Sequence, residues 1–248
     1  TQDLAANINW SNLVSFGVDT TFPTINFSLP TPANGSTQSA NAIYVNLTTN
    51  DTNQHYSFVD FNRDLVLWMR MDDLNASNDP YDLSTWSNNG SKKGNAVQTD
   101  SGKFGKGISF DGSGDYVNAG NDLSLRNIPT GTWSVWFKTP VTNPPGICAG
   151  IISKDDSGYN NDAILSIDGC NAAADADQKI VFEMHRLTGG ELVFSTASTS
   201  QITANTWYHT VATWNSTGIY LYVNGLFDTN NTTPNSGVTV STFLEIGS

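Results

Sequence analysis

Residues 207–227 read WYHTVATWNSTGIYLYVNGLF, and no helical period runs through them. Trp207, His209, Val211 and Thr213 alternate with Tyr208, Thr210, Ala212 and Trp214, the period of two that a strand shows when one sheet face meets a core. Ile219, Leu221 and Val223 alternate with Tyr220 and Tyr222 in the same way. Asn224-Gly225 then closes a hairpin, because a type I′ turn needs positive φ at both central positions and Asn-Gly supplies it at little cost. The stretch is a β-meander of three short strands and two tight turns. Elsewhere no segment holds apolar residues at i, i+3, i+4 and i+7 for three turns, while Gly, Asn, Ser, Thr and aromatics punctuate the chain at roughly 8–12-residue intervals. The fold class is all-β.

The chain has 248 residues, enough to bury a sizeable core as one large β domain or as a domain with a smaller neighbour. Its longest unbroken apolar run, residues 65–69, is far short of the ~20 residues that cross a bilayer as a helix, so no transmembrane segment is expected. The absence of an initiator Met and of a leader pattern suggests a processed chain or a fragment. A formal net charge of -12, with eleven Lys and Arg, argues against nucleic acid as a partner. Glu occurs only at 183, 191 and 245; the other carboxylates are Asp, a residue of turns and hard-cation loops.

Two features point to an extracellular, cell-surface location. Ten Asn-X-Ser/Thr sequons stand at Asn9, Asn26, Asn34, Asn46, Asn50, Asn75, Asn89, Asn215, Asn230 and Asn231, each a candidate glycosylation site where the host has the machinery. The second feature is the pair Cys148 and Cys170. An antiparallel hairpin of residues 151–154 with 163–167, in the register that sets Ile152 opposite Ser166, also sets Cys148 opposite Cys170. A disulfide there would staple the hairpin base and imply an oxidising compartment; two buried free thiols are the alternative.

Residues 1–63 lack dense tryptophan and carry proline punctuation. Strands are expected near 8–16, 19–27 and 42–47, with a turn at 31–35. The run DTTFPTINFSLPTPANGSTQSANAIYVNLTTND (19–51) resembles the opening strands of the immunoglobulin-like repeats of prokaryotic, often archaeal, surface proteins. Seven Ig strands do not fit before Asp64, so this is a partial Ig-like or strand-donor segment and linker.

From residue 64 onward the pattern tightens. LVLWMRM (65–71) is read as a strand, 72–101 as a polar loop, and strands follow within 103–117, 132–138, 180–184, 192–194, the meander and 243–247. Five blocks occur in order: FDGSGDYV (110–117), TWSVWFK (132–138), WYHTVAT (207–213), LYVNG (221–225) and LEIG (244–247). Together they resemble the laminin-G-like, concanavalin-A-like jelly-roll family, which implies a jelly-roll β-sandwich over 64–248. Members usually continue past the last block with a glycine and a final strand beside the first. Here the sequence stops at Ser248, so the sandwich is expected to lack its closing strand. Either the protein is clipped, or a strand from elsewhere, with residues 1–16 the candidate, inserts into another copy by strand addition.

The chemistry is sparse. The Glu-X-Asp-X-(X)-Glu strand signature of glucanases with this fold is absent, and Glu183 has no acidic neighbour two to four residues on, so an acid/base pair would need scattered Asp residues. His55, His185 and His209 read as structural, no Gly-X-Ser-X-Gly elbow is present, and the cysteines lack zinc-ligand spacing. Calcium wants six to eight oxygens from loops. Candidate ligands are Asp111 and Asp115 in DGSGD, and Asp155, Asp156 and Asp162 in DDSGYNND, with residues 72–79 a weaker loop; the resemblance adds that laminin-G-like relatives often hold calcium at the sandwich rim. Ordinary solvated turns are the alternative. Trp86, Tyr159 and Tyr81 sit in loops where they could stack on a sugar or anchor the loop, and most strand tryptophans (Trp68, Trp133, Trp136, Trp207, Trp214) are expected in the core. The leading expectation is a non-catalytic structural or adhesive surface module, a fibre or surface-layer subunit that self-associates or joins surface proteins. The alternative is a calcium-assisted, lectin-like carbohydrate-binding module.

Overall fold

The computed structural model describes residues 23–37, 39, 44–52, 59–60, 63–140, 148–155, 162–168, 178–187, 191–234, 237–239 and 241–247. The chain divides into two units, Thr1–Arg63 and Asp64–Ser248. In the first, β1 (Thr24–Ser28) pairs antiparallel with β2 (Asn46–Asn50). The expected turn forms between them, with Ser36 N donating to Ala33 O at 3.1 Å and Gly35 at φ 77°. The strand expected at 8–16 lies outside the described residues.

The regular structure of the second unit is nearly all strand, with one short 3-10 turn at Leu123–Leu125. Its smaller strands are β3 (Ser91–Lys93), β4 (Val97–Thr99), β5 (Gly107–Ser109) and β6 (Tyr116–Asn118). The longer ones are β7 (Gly131–Phe137), β8 (Ala149–Lys154), β9 (Ala163–Ile167), β10 (Ile180–Leu187) and β11 (Glu191–Ala197). The meander is β12 (Tyr208–Asn215), β13 (Gly218–Val223) and β14 (Leu226–Asn231), and β15 (Glu245–Ile246) follows. Among the described residues these form a seven-stranded sheet, β11-β10-β9-β8-β15-β6-β3, a four-stranded sheet, β14-β13-β12-β7, and the pair β4-β5. The two larger sheets are the layers of a concanavalin-A-like jelly-roll sandwich.

The meander forms as its alternation requires. Asn224 and Gly225 take φ 51° and 82° in the β13–β14 turn. Ala212, Trp214, Ile219 and Leu221 point inward and are buried. The opposite face of the four-stranded sheet carries Thr132, Ser134 and Trp136 of β7, His209, Val211 and Thr213 of β12, Tyr220 and Tyr222 of β13, and Phe227 of β14. The core is bridged by rings: Trp214 of the four-stranded sheet lies 6.0 Å from Phe182 of the seven-stranded sheet and 5.4 Å, edge-on, from Trp133. Burying each such side chain contributes about 1.5–3 kcal/mol. Trp214 fits because position 131 is glycine, where a Cβ would sit 2.2 Å from the indole.

Four expectations are corrected. Residues 65–71 join no ladder. Their backbone is held by the next loop instead: Trp68 N donates to Asp82 Oδ1 at 2.8 Å, Leu83 N to Trp68 O at 2.8 Å, and Asn88 Nδ2 to Val66 O at 2.8 Å. The loop expected at 72–101 contains β3 and β4. In the β8–β9 hairpin, Gly150 rather than Ile152 faces Ser166, and a register shift follows before Ile152 meets Leu165. That irregularity lets Ile151 and Ile152 both reach the core, and the register continued outward sets position 148 opposite 168 rather than 170. Cys148 is disulfide-bonded, and Cys170 lies outside the described residues. Finally, most of the five strand tryptophans are not core: Trp214 is in the core and Trp133 packs against it, whereas Trp68, Trp136 and Trp207 do not belong to it; Trp136 stands on the outer sheet face, 37% exposed, because it is three positions from inward-facing Trp133 and so has the opposite parity.

Candidate functional site

The outer face of the seven-stranded sheet is where polar chemistry concentrates. Along one cross-strand row, Glu183 of β10 faces Ile164 of β9, Ile164 faces Ser153 of β8, and Ser153 faces Glu245 of β15. In β10 the inward positions Ile180, Phe182 and Met184 fill the core, so the alternate positions 183 and 185 are carried to this face by strand geometry. Both Glu183 and His185 are nevertheless buried.

His185 meets the β8–β9 loop here. Its Nδ1 is hydrogen-bonded to Asp162 Oδ1, and the backbone repeats the contact, with His185 N donating to Asp162 O at 3.2 Å. Burial pulls the His185 pKa down, but the Asp162 hydrogen bond and the charges of Asp162, Glu183 and Asp155 outweigh it, and the net position is above the ordinary value. Asp155, at the other end of the loop, completes the group: ligating atoms of Asp155, Asp162 and His185 lie within 4.8 Å of one another. Asp162 is fully buried, and its second oxygen, Oδ2, has no hydrogen-bond partner among the described residues. A buried carboxylate oxygen without a partner is costly and suits a position waiting for a cation or a donor.

Asp155 also lines a cavity of about 340 Å³ walled by Cys148, Gly150, Ser153, Ile164, Thr242, Phe243 and Glu245. Burial raises the Glu245 carboxyl above its usual range. Thr242 Oγ1, in the same wall, is buried without a hydrogen-bond partner among the described residues.

Of the calcium candidates read from the sequence, the structure brings together Asp155 and Asp162; Asp156 and the loop aromatic Tyr159 lie outside the described residues. Asp111 and Asp115 do not join them. Asp115 accepts from Asn95 N at 2.7 Å and Asp111 N at 2.9 Å, and Asp111 accepts from Ser113 N at 2.8 Å and Asn95 Nδ2 at 2.9 Å. Hydrogen bonds from Asn95 and from the Ser113 backbone hold the Asp111 carboxyl below its usual range. These two carboxylates staple the 94–95 and 111–115 turns to each other. The 72–79 loop is used likewise: Arg70 pairs with Asp73 at 2.7 Å, and Asn75 Oδ1 accepts from Ser77 N and Asp79 N. Trp86 is exposed, as is Tyr81; neither borders the cavity.

His185 reads from the sequence as structural, whereas the fold places it in the cluster with Asp155 and Asp162. The signal available was an acidic residue and a histidine two apart in an otherwise apolar strand, VFEMH at 181–185. Among the sequons, Asn26, Asn34, Asn46, Asn50, Asn89 and Asn230 are exposed, Asn75, Asn215 and Asn231 are half-buried, and Asn9 lies outside the described residues. The amide nitrogen that would carry a glycan donates to Leu29 O in Asn46 and to Ser195 O in Asn231.

No curated protein matches the chain. Among solved structures, domain 4 of AbnA, a GH43 extracellular arabinanase from Geobacillus stearothermophilus determined in complex with arabinotriose, is similar with a TM-score of 0.52 and 15% identity, over 67% of this chain and 76% of that one. A single-substitution mutant of HCR/D is similar with a TM-score of 0.53 and 17% identity, over 75% of this chain. The alignment spans 43% of that protein, less than half its length. At such identities the likeness is one of fold. Among the described residues no helix is long and apolar enough to cross a membrane. The family model described as the concanavalin A-like lectin/glucanases superfamily, of the laminin-G type, matches residues 111–248, more than half of the sequence, and the chain belongs to that family.

Proposed function

We propose that this protein is an extracellular, non-catalytic carbohydrate-binding module that holds its ligand with the help of a calcium ion. The observation that carries the reading is the double role of Asp155, which lines the 340 Å³ cavity and belongs to the Asp155–Asp162–His185 cluster. An ion held by Asp155 and by the partnerless Oδ2 of Asp162 would stand at the cavity wall, where sugar hydroxyls could complete its oxygen shell. His185 then acts as an orienting neighbour: its hydrogen bond to Oδ1 fixes the Asp162 carboxylate with Oδ2 directed elsewhere. Thr242 Oγ1 offers a further hydrogen bond to a ligand. The buried oxygens fit a hard cation, and the acidic loop residue Asp156 is placed in sequence to add another ligand. Since a domain of similar fold is known with arabinotriose, short oligosaccharides are the first ligands to try. An oxidised Cys148–Cys170 pair and occupied sequons at the exposed asparagines belong to the same extracellular reading.

The test is thermal unfolding after EDTA treatment, with calcium added back, followed by an oligosaccharide array with and without calcium. Ligand at a hundredfold excess over Kd stabilises by about 2.7 kcal/mol. A calcium-dependent rise in Tm that Asp162→Asn abolishes, with glycan capture that needs calcium, is expected. No response to calcium at millimolar concentration removes the ion from the reading, and an array with no captured glycan removes the lectin.

The structural or adhesive module expected first from the sequence is kept as the second reading. It rests on residues 1–16, outside the described residues, and on β7, which has a ladder partner on one side alone among the described strands and so offers an edge for strand addition. Light scattering of the chain with and without residues 1–16 tests it: a monomer in both forms ends it.

A further inference from the structure

We infer that Asn34 is a site of spontaneous covalent modification, at which the backbone nitrogen of Gly35 displaces the side-chain amide and the asparagine becomes aspartate or isoaspartate. The sequence holds three Asn-Gly pairs, at 34–35, 89–90 and 224–225. Each meets the first chemical requirement, because glycine brings no side chain to shield its own nitrogen. The fold treats the three differently. At 89–90 both reacting groups are engaged: Asn89 Oδ1 accepts from Asp82 N at 2.9 Å, Gly90 N donates to Pro80 O at 2.9 Å, and Gly90 is buried. At 224–225 the side chain is held on β12, where Asn224 Oδ1 accepts from His209 N at 3.0 Å while Asn224 N donates to His209 O at 2.8 Å. At 34–35 both groups are open. The two residues are exposed, and neither the Asn34 amide nor Gly35 N has a hydrogen-bond partner among the described residues. A Cβ built on Gly35 would meet no atom within 4 Å. The hydrogen bond of the turn, from Ser36 N to Ala33 O, uses the nitrogen one residue beyond the one that reacts.

Water is the one co-reactant. Hydroxide takes the Gly35 N–H proton, the nitrogen attacks Asn34 Cγ, the Cγ–Nδ2 bond breaks, and Nδ2 leaves as ammonia with a proton taken from water. Water then opens the resulting succinimide. Attack at the side-chain carbonyl gives aspartate; attack at the backbone carbonyl gives isoaspartate, with the main chain rerouted through Cγ. One amide and one water become one carboxylic acid and one ammonia. Asn34 is also the acceptor of the sequon Asn34-Gly35-Ser36. The nitrogen that leaves is the one that would carry the glycan, so the two fates exclude each other. At the other two pairs the same ring can close only after local opening has broken the hydrogen bonds that hold the asparagine.

The test uses the full chain made in a host that adds no glycan and kept folded at mildly alkaline pH. The three pairs are followed by peptide mapping with mass spectrometry, and isoaspartate is counted by enzymatic methylation. Conversion at Asn34 is expected to outpace that at Asn89 and Asn224 by about tenfold or more and to rise with hydroxide concentration. In denaturing urea the three are expected to converge to within a few-fold, since the hydrogen bonds that separate them are gone. Gly35→Ala, which shields the attacking nitrogen, is expected to slow conversion at Asn34 by about tenfold or more. Equal conversion at all three pairs in the folded chain, an Asn34 that converts in urea but not when folded, or a rate untouched by Gly35→Ala each overturns the inference.

Discussion

Lys154 offers a prediction with a sign that can be worked through. It ends β8 opposite Ala163, is fully buried, and shares the core-side face with that residue. Its Nζ donates to Thr242 O. Burial, with a smaller contribution from the charge of Arg126, lowers its pKa from 10.5 to about 8. Between pH 8 and 10.5 the unfolded chain therefore binds more protons at this position than the folded one, so stability must rise with pH across that window. A shift of this size corresponds to about 3 kcal/mol at ~1.4 kcal/mol per unit. Below pH 8 the folded protein carries that cost in full.

Replacing the residue, Lys154→Met, removes the buried charge while keeping the volume. The loss of a donor to the Thr242 carbonyl returns about 1–3 kcal/mol, so the variant is expected to be up to about 2 kcal/mol more stable at pH 7. The decisive quantity is the difference between wild type and variant in urea unfolding followed by tryptophan fluorescence from pH 7 to 10.5. Other lysines and tyrosines titrate in both proteins and cancel. The advantage of the variant is expected to shrink by about 3 kcal/mol as the pH rises through the window, reversing in sign by its upper end. A difference that stays flat would mean that Lys154 is not desolvated in solution, and the reasoning would fail.

Three further outcomes follow from the packing. Gly131→Ala places a Cβ 2.2 Å from the Trp214 ring and is expected to cost about 1–3 kcal/mol by overpacking, read as a fall in Tm. Asn224→Ala leaves at φ 51° a residue without the short polar side chain that lets asparagine tolerate the left-handed region, and removes the acceptor for His209 N at 3.0 Å; about 1–2 kcal/mol is expected to be lost, and a Tm equal to wild type would contradict the turn assignment. Asp82 accepts from Trp68 N, Ser84 N, Ser84 Oγ and Asn88 N at 2.7–2.9 Å, so Asp82→Ala strands four donors and is expected to cost about 2–4 kcal/mol, with hydrogen exchange rising at residues 66–69 and 82–88.

What the sequence determined by itself is local. Alternation in residues 207–223 and the positive φ demanded at Asn224 and Gly225 depend on neighbours one or two positions apart, so the meander could be read directly. The five ordered blocks carried the family, and with it the sandwich. The same period of two sets Trp136 outside, at an odd separation from inward-facing Trp133.

The tertiary structure decided what depends on register between distant strands. Whether 65–71 finds a ladder rests on competition from the Asp82–Asn88 loop, which takes its backbone bonds first. Whether Cys148 stands opposite position 168 or 170 rests on one irregularity at Gly150 to Ile152, a choice made by two isoleucines that both gain from entering the core. The meeting of Asp155, Asp162 and His185 is of this kind as well. Residues 155 and 162 close one hairpin, but residue 185 reaches them only because β10 pairs with β9 in a register set by Ile180, Phe182 and Met184 packing on the other face. Side chains on one face of a sheet are placed by what the opposite face must bury, and that is a sum over the whole core.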